Sequence, residues 1–260
     1  MPIFTVDAFT DQLFRGNPAA VCPLRDWLPD ELLGSIAAEN NLSETAYIVP
    51  RDGGYGLRWF TPTVEVDLCG HATLAAGHVV LRELSHPPTE EVVFETRSGE
   101  LRVRIAPPGY EIDLPATPPV AAPSPDPQIA TAIGTTPQET LGGPHHVAVL
   151  THEAAVRAVR PDFALVAELG GGGLIVTAPG DDVDFVSRFF APHHGIPEDP
   201  VTGSAHCTLG PYWAERLGKT HLRARQVSPR GGALECQVGP ASVSLRGQCR
   251  SYLRGTIELP

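Results

Sequence analysis

Basic charge is scarce in this chain: 19 lysines and arginines face 30 aspartates and glutamates, a net of −11 over 260 residues. No basic stripe is available for nucleic-acid phosphates, so that class of partner is excluded, and nothing favours an anionic membrane. Cysteine is sparse as well. The five (Cys22, Cys69, Cys207, Cys236 and Cys249) are odd in number, scattered and without a C-x-x-C pair. That pattern speaks against a disulfide framework or a zinc motif and for reduced thiols in the cytoplasm. Long hydrophobic runs are missing too, since the longest, 72–81, is about half the length of a transmembrane helix. Residues 1–7 lack a basic segment followed by an apolar one, so no secretory signal is expected. The 42% apolar content suffices for packed cores.

What the chain does contain is a repetition. Gly70, Ala72, Gly77 and Leu84 recur as Gly203, Ala205, Gly210 and Leu217, each 133 residues on. Gly99, Leu101 and Pro107 recur at the same offset as Gly232, Leu234 and Pro240. Upstream, Arg58-Trp59-Phe60-Thr61-Pro62 resembles Arg188-Phe189-Phe190-Ala191-Pro192 at an offset of 130, which a small insertion near 195–201 explains. Two copies of one unit are expected, each with a strand, a polar loop and a glycine opening a buried helix.

Along the chain, strands are expected at 3–9, 46–49, 56–60, 92–96, 101–105 and 111–114, with a helix from Pro29 to about Glu39. The second half predicts a helix near 151–159 and strands at 174–177, 183–190, 234–238 and 242–245. The segment 115–127 holds six prolines and reads as an interlobe linker. This gives an N-terminal lobe 1–117, a C-terminal lobe 118–249, and a last strand near 250–260 returning to the first lobe. The run 70–84 carries no Asp, Glu, Lys or Arg before Arg82, so its helix must be wrapped by a curved sheet. Pro211 should kink the second helix.

A helix start exposes unpaired N–H groups and a positive dipole end, and glycine lets a ligand approach them. Gly70 with His71 and Gly203 with Ser204 are therefore candidate anion-binding positions, with Asp199 just ahead of the second start. Four ordered segments carry more information. They are Phe14-Arg15-Gly16-Asn17-Pro18-Ala19-Ala20-Val21, Ser43-Glu44-Thr45-Ala46, Asp67-Leu68-Cys69-Gly70-His71-Ala72-Thr73 and Glu198-Asp199-Pro200-Val201-Thr202-Gly203-Ser204-Ala205. Together they resemble the phenazine-biosynthesis isomerase-like (PhzF-like) family over nearly the whole chain. The resemblance implies the α+β fold of the diaminopimelate epimerase superfamily: two similar lobes, each a sheet rolled around a central helix, with the site in the interlobe cleft. It implies a homodimer acting on a small-molecule substrate without cofactor or metal. It makes Glu44 the catalytic acid/base, assisted by His71 and Asp199, with Asn17, Gly70, Gly203 and Ser204 binding the substrate. The founding reaction of the family, isomerisation of trans-2,3-dihydro-3-hydroxyanthranilate, moves one proton between two ring carbons. One carboxylate in a partly apolar pocket can do this.

Competing readings are weaker on residue context. Epimerases of the superfamily place a thiol before each central helix, but Cys69 has Thr202 as its repeat partner. Cys69 itself reads as a small buried residue. A Ser204–His71–Asp199 hydrolase lacks the G-x-S-x-G elbow. His145-His146 and His193-His194 lack zinc-site spacing, and the Gly170–Gly173 run reads as a turn. An amino-acid or hydroxy-acid epimerase, or a binding protein that kept the cleft, remains the alternative.

Overall fold

The computed structural model describes residues 1–85, 89–122 and 124–259. The chain forms two compact units, Met1–Asp113 with Arg246–Pro260, and Leu114–Leu245.

In the first unit, Pro2–Ala8 runs antiparallel to Asn17–Pro23, which lies parallel to Glu44–Arg51. Gly54–Phe60 follows antiparallel, pairs in parallel with Glu91–Thr96, and the latter forms a hairpin with Gly99–Ala106. The second unit repeats this order. Glu139–Gly142 is antiparallel to His146–Val149, which is parallel to Leu174–Pro179. Phe185–Ala191 follows antiparallel, pairs in parallel with His221–Gln226, and that strand forms a hairpin with Gly232–Val238. The duplication thus extends to strands whose sequences no longer match.

Both paired glycines open helices, Gly70–Val79 and Gly203–Leu217. In the first helix every residue except His78 is buried. It touches the strands Pro2–Ala8, Asn17–Pro23, Glu44–Arg51, Gly99–Ala106 and Cys249–Thr256, so the sheet wraps it, as its uncharged sequence requires. A π-helical turn, Val80–Leu84, continues it, closed by Ser85 N–H to the Val80 carbonyl at 2.9 Å. The second helix rests on His221–Gln226 and Gly232–Val238. Trp213 stacks on Phe185 and donates Nε1–H to Thr177 Oγ1 at 3.0 Å.

Close packing falls at the repeated glycines but not equally. A Cβ on Gly77 would stand 2.4 Å from Val103 Cγ1 and 2.7 Å from its Cβ, whereas one on Gly210 would meet Val238 Cγ2 at 3.3 Å. Valine is stiff at χ1, so Gly77→Ala must push the helix off its strand. Overpacking of about 1–3 kcal/mol should outweigh the gain in helix propensity of about 1 kcal/mol. Gly210→Ala should be close to neutral. Thermal unfolding of the two variants checks this, and equal midpoints would refute it.

Several expectations need correction. The proline-rich segment is not a free linker: the boundary lies ahead of it, Thr117 N–H bonds the Cys207 carbonyl at 3.1 Å, and Val120–Ala121 pairs with Glu139–Gly142. The same bond explains why the second helix passes Pro211 unbroken. The carbonyl that Pro211 leaves without an i+4 donor is that of Cys207, and Thr117 supplies the missing N–H. The helix expected at 151–159 is shorter, Glu153–Ala158, and two further helices flank it, Pro127–Ile133 and Phe163–Leu169. Each begins at a capping aspartate, Asp126 or Asp162, and ends at a glycine. The tail strand is Cys249–Thr256, antiparallel to Pro2–Ala8. No helix among the described residues is long and apolar enough to cross a membrane.

Candidate active site

The approach to the first helix start is braced by an ion pair that the duplication preserved. Arg58 grips Glu65 through two bonds of 2.7 Å, and Arg188 grips Glu198 through bonds of 2.7 and 2.8 Å. Glu65 and Glu198 are 133 residues apart. Each carboxylate stands just before a helix start, so the forked arginine fixes the loop that leads into it. Both helices lack a side-chain cap at the N-terminus.

Three elements of the first unit converge on one buried cluster. Asn17 begins a strand directly after Gly16, whose φ of +67° and contact with the Ala8 carbonyl (a Cβ would lie 2.2 Å away) leave room only for glycine. Glu44 begins its strand just after the turn at Asn41, and sits opposite Ala19 in the parallel ladder. Asn40 pins that entry by donating to Thr45 Oγ1 at 3.0 Å. Cys69 is the cap residue and His71 the second residue of the helix. The Cys69 carbonyl accepts both the N–H and the hydroxyl of Thr73, at 3.1 and 2.6 Å.

His71 is the centre of this cluster. Asn17 Nδ2 stands 3.1 Å from Nδ1 and can only donate, so Nδ1 accepts and the ring proton lies on Nε2. Cys69 Sγ lies 3.5 Å from the same Nδ1. Nε2 faces Glu44 Oε2 at 3.2 Å, off the line of a formed hydrogen bond, so a small rotation brings the proton into register. Burial pushes the His71 pKa down to about 3. The Asn17 amide adds to this by occupying the nitrogen that a cationic ring would need for its second proton. Glu44 is 8% exposed and His71 3%. The result is a buried carboxylate facing a neutral imidazole N–H.

A second polar cluster forms in the other unit. The Thr202 hydroxyl donates to Asp199 Oδ2 at 2.5 Å, and so is not spent on capping the helix. Gln226 locks the turn from both sides: its Oε1 accepts Thr202 N–H at 2.9 Å, and its Nε2 donates to the Asp199 carbonyl at 2.7 Å. His206, fully buried, donates Nδ1–H to the Thr202 carbonyl at 2.7 Å, and burial lowers its pKa to about 4.

Of the residues singled out from sequence, Asn17, Glu44, Gly70 and His71 meet in the first unit. Asp199, Gly203 and Ser204 meet in the second. Sequence reasoning missed Thr202, Gln226 and His206 as the frame around Asp199, and treated Cys69 as filler although its sulfur touches the site imidazole. For Thr202 the signal was present, since it is the repeat partner of Cys69. For Gln226, 24 residues further on, there was none.

Comparison with known proteins decides the family. The model of the phenazine biosynthesis-like proteins (PhzC-PhzF) matches residues 6–256. The chain belongs to this family. It is 50% identical over 259 residues to a Pseudomonas aeruginosa protein named an uncharacterized isomerase, covering 100% of this chain and 99% of that one. It is 41% identical over 285 residues to the human phenazine biosynthesis-like domain-containing protein, covering 99% of each. Among solved structures, a PhzF-family protein of Enterococcus faecalis superposes with a TM-score of 0.95 at 46% identity, over 99% of each chain. The fold is accordingly the diaminopimelate epimerase-like α+β fold of the PhzF proteins.

Proposed function

We propose that this PhzF-family chain is an isomerase that moves a proton between two carbons of a small carboxylate-bearing substrate, with Glu44 as the acid/base. The observation that carries the reading is the buried Glu44 carboxylate 3.2 Å from the Nε2 of a neutral His71. A carboxylate removed from water is a stronger base toward a carbon acid, and after accepting the proton it becomes the acid that returns it. His71 steadies it with a neutral N–H, which orients the carboxylate without quenching its charge. Asn17 holds His71 in the tautomer that this requires. The uncapped helix start at Gly70 suits the substrate carboxylate. Names given to relatives agree with the reaction class.

Two-thiol epimerase chemistry finds no support in these residues. Cys69 has a hydroxyl as its repeat partner, and Thr202 spends that hydroxyl on Asp199.

Incubation in heavy water with a panel of small unsaturated or α-amino carboxylic acids tests the proposal, read by mass spectrometry. An isomerase forms a product with the hydrogen moved to another carbon, which carries solvent deuterium to the extent that Glu44 exchanges its proton before returning it. An epimerase leaves deuterium on the deprotonated carbon with inverted configuration. Binding of panel members with neither product nor exchange would overturn the catalytic reading.

A further inference from the structure

The three side chains at the first helix start offer more than proton transfer. Glu44, Cys69 and His71 each present one donor atom within 4.8 Å of the other two, and all three are buried. The donors are one sulfur, one nitrogen and one oxygen. We propose that this cluster is a binding site for a thiophilic divalent cation of the zinc class.

Donor chemistry selects the ion. Hard ions such as magnesium and calcium take oxygen ligands, whereas a thiolate with an imidazole selects zinc-like ions. Three protein ligands with a fourth position left for water is a familiar zinc arrangement. Geometry agrees. Zinc bonds of about 2.0–2.1 Å to nitrogen and oxygen set a tetrahedral edge of about 3.3 Å, and His71 Nε2 and Glu44 Oε2 are 3.2 Å apart. The sulfur lies on the Nδ1 side of the ring, 3.5 Å from that atom, and the three donors stand within 4.8 Å of one another, so the Cys69 side chain must turn toward Nε2 to complete the set.

Charge also balances. The ion displaces the thiol proton of Cys69, and the thiolate and the Glu44 carboxylate then cancel its two positive charges. His71 contributes its Nε2 lone pair as a neutral ring, its proton passing to Nδ1, where the Asn17 amide turns so that Oδ1 accepts it. The loaded cluster is neutral, which its burial demands. The three ligands stand on a strand start, a helix cap and a helix, and Thr73 fixes the Cys69 backbone, so the backbone is already ordered and only side chains rearrange. Access is short, because Asp67 and Leu68, next to Cys69, are exposed. The other four cysteines are buried as well, but no such donor group forms around them among the described residues.

One consequence rests on the function proposed above. An ion held here occupies the carboxylate that moves the proton, so the loaded form is inactive and zinc inhibits reversibly.

Cobalt(II) serves as the optical probe, titrated into the full-length protein. We expect saturation at one equivalent, a thiolate-to-cobalt charge-transfer band, tetrahedral visible absorption, and displacement by zinc. Cys69→Ser should abolish the charge-transfer band and weaken zinc binding at least about tenfold. Glu44→Gln should keep the band with weaker binding. Cys207→Ser, a control at another buried thiol, should behave as wild type, and circular dichroism confirms that each variant is folded. Absence of the band in wild type, or its survival in Cys69→Ser, overturns the site. The titration needs no substrate, so its failure leaves the heavy-water result untouched. A failed exchange experiment likewise leaves the cobalt band as it was.

Discussion

Glu44→Gln should lower the rate of product formation by about 10²–10⁴-fold, the usual contribution of a positioned acid or base. The substitution keeps size and shape at a site 8% exposed. It removes only the capacity to take and return a proton. Because His71 is neutral, losing the carboxylate breaks no buried ion pair, so the melting temperature should move by no more than a few degrees. Glu44→Asp withdraws the carboxylate by one methylene and should fall between wild type and Gln, since proton transfer depends steeply on reach. A Gln variant that turns over at the wild-type rate would remove Glu44 from the mechanism. One that fails to bind substrate would make it a binding group instead.

Acid should unfold this protein well above the carboxylate range. His71 and His206 are buried and His78 is half-buried, and burial lowers their pKa values to about 3, 4 and 4, in the order His71, His206, His78, from an ordinary 6.5. At His78 the neighbouring Arg82, Arg250 and Arg254 add to the effect. The unfolded chain protonates these rings below pH 6.5 while the folded chain does not, so stability falls as pH drops from 6.5 toward 4. Each ring costs about 1.4 kcal/mol per pH unit in that window, or about 2 kcal/mol at pH 5. Three together approach 6 kcal/mol, comparable with the whole stability of many domains. Urea midpoints at pH 7, 6 and 5 measure it. A flat profile across this range would contradict the neutral assignment. His206→Gln should make the slope shallower.

The sequence carried the architecture where chemistry repeats and lost it where only topology does. Gly70 and Gly203 mark both helix starts because close packing and a bare N-terminus leave little choice of residue. Glu139–Gly142 and His146–Val149 are short strands split by Gly143, Pro144 and His145, and no alternation survives over four residues. Pro127–Ile133 hid inside a proline-rich stretch, although Asp126 before Pro127 and Gly134 after Ile133 are ordinary helix boundaries. At the site, motif residues were legible, but the contact that sets the His71 tautomer was not. It joins Asn17 to a ring 54 residues away, and only the sheet wrapped around the helix brings them together.

The pairing of Pro2–Ala8 with Cys249–Thr256, backed by mutual bonds of 2.8 Å between Met1 and Ile257, bears on how the protein is made. On the ribosome the strand Pro2–Ala8 is made before Cys249–Thr256 and waits for it until the entire inserted unit has been synthesised, a delay on the order of ten seconds or more. The inserted unit, being contiguous, can fold in that interval. The unit that carries Glu44 and His71 is therefore sealed last, and premature termination near residue 245 would yield a folded second unit attached to an open first one.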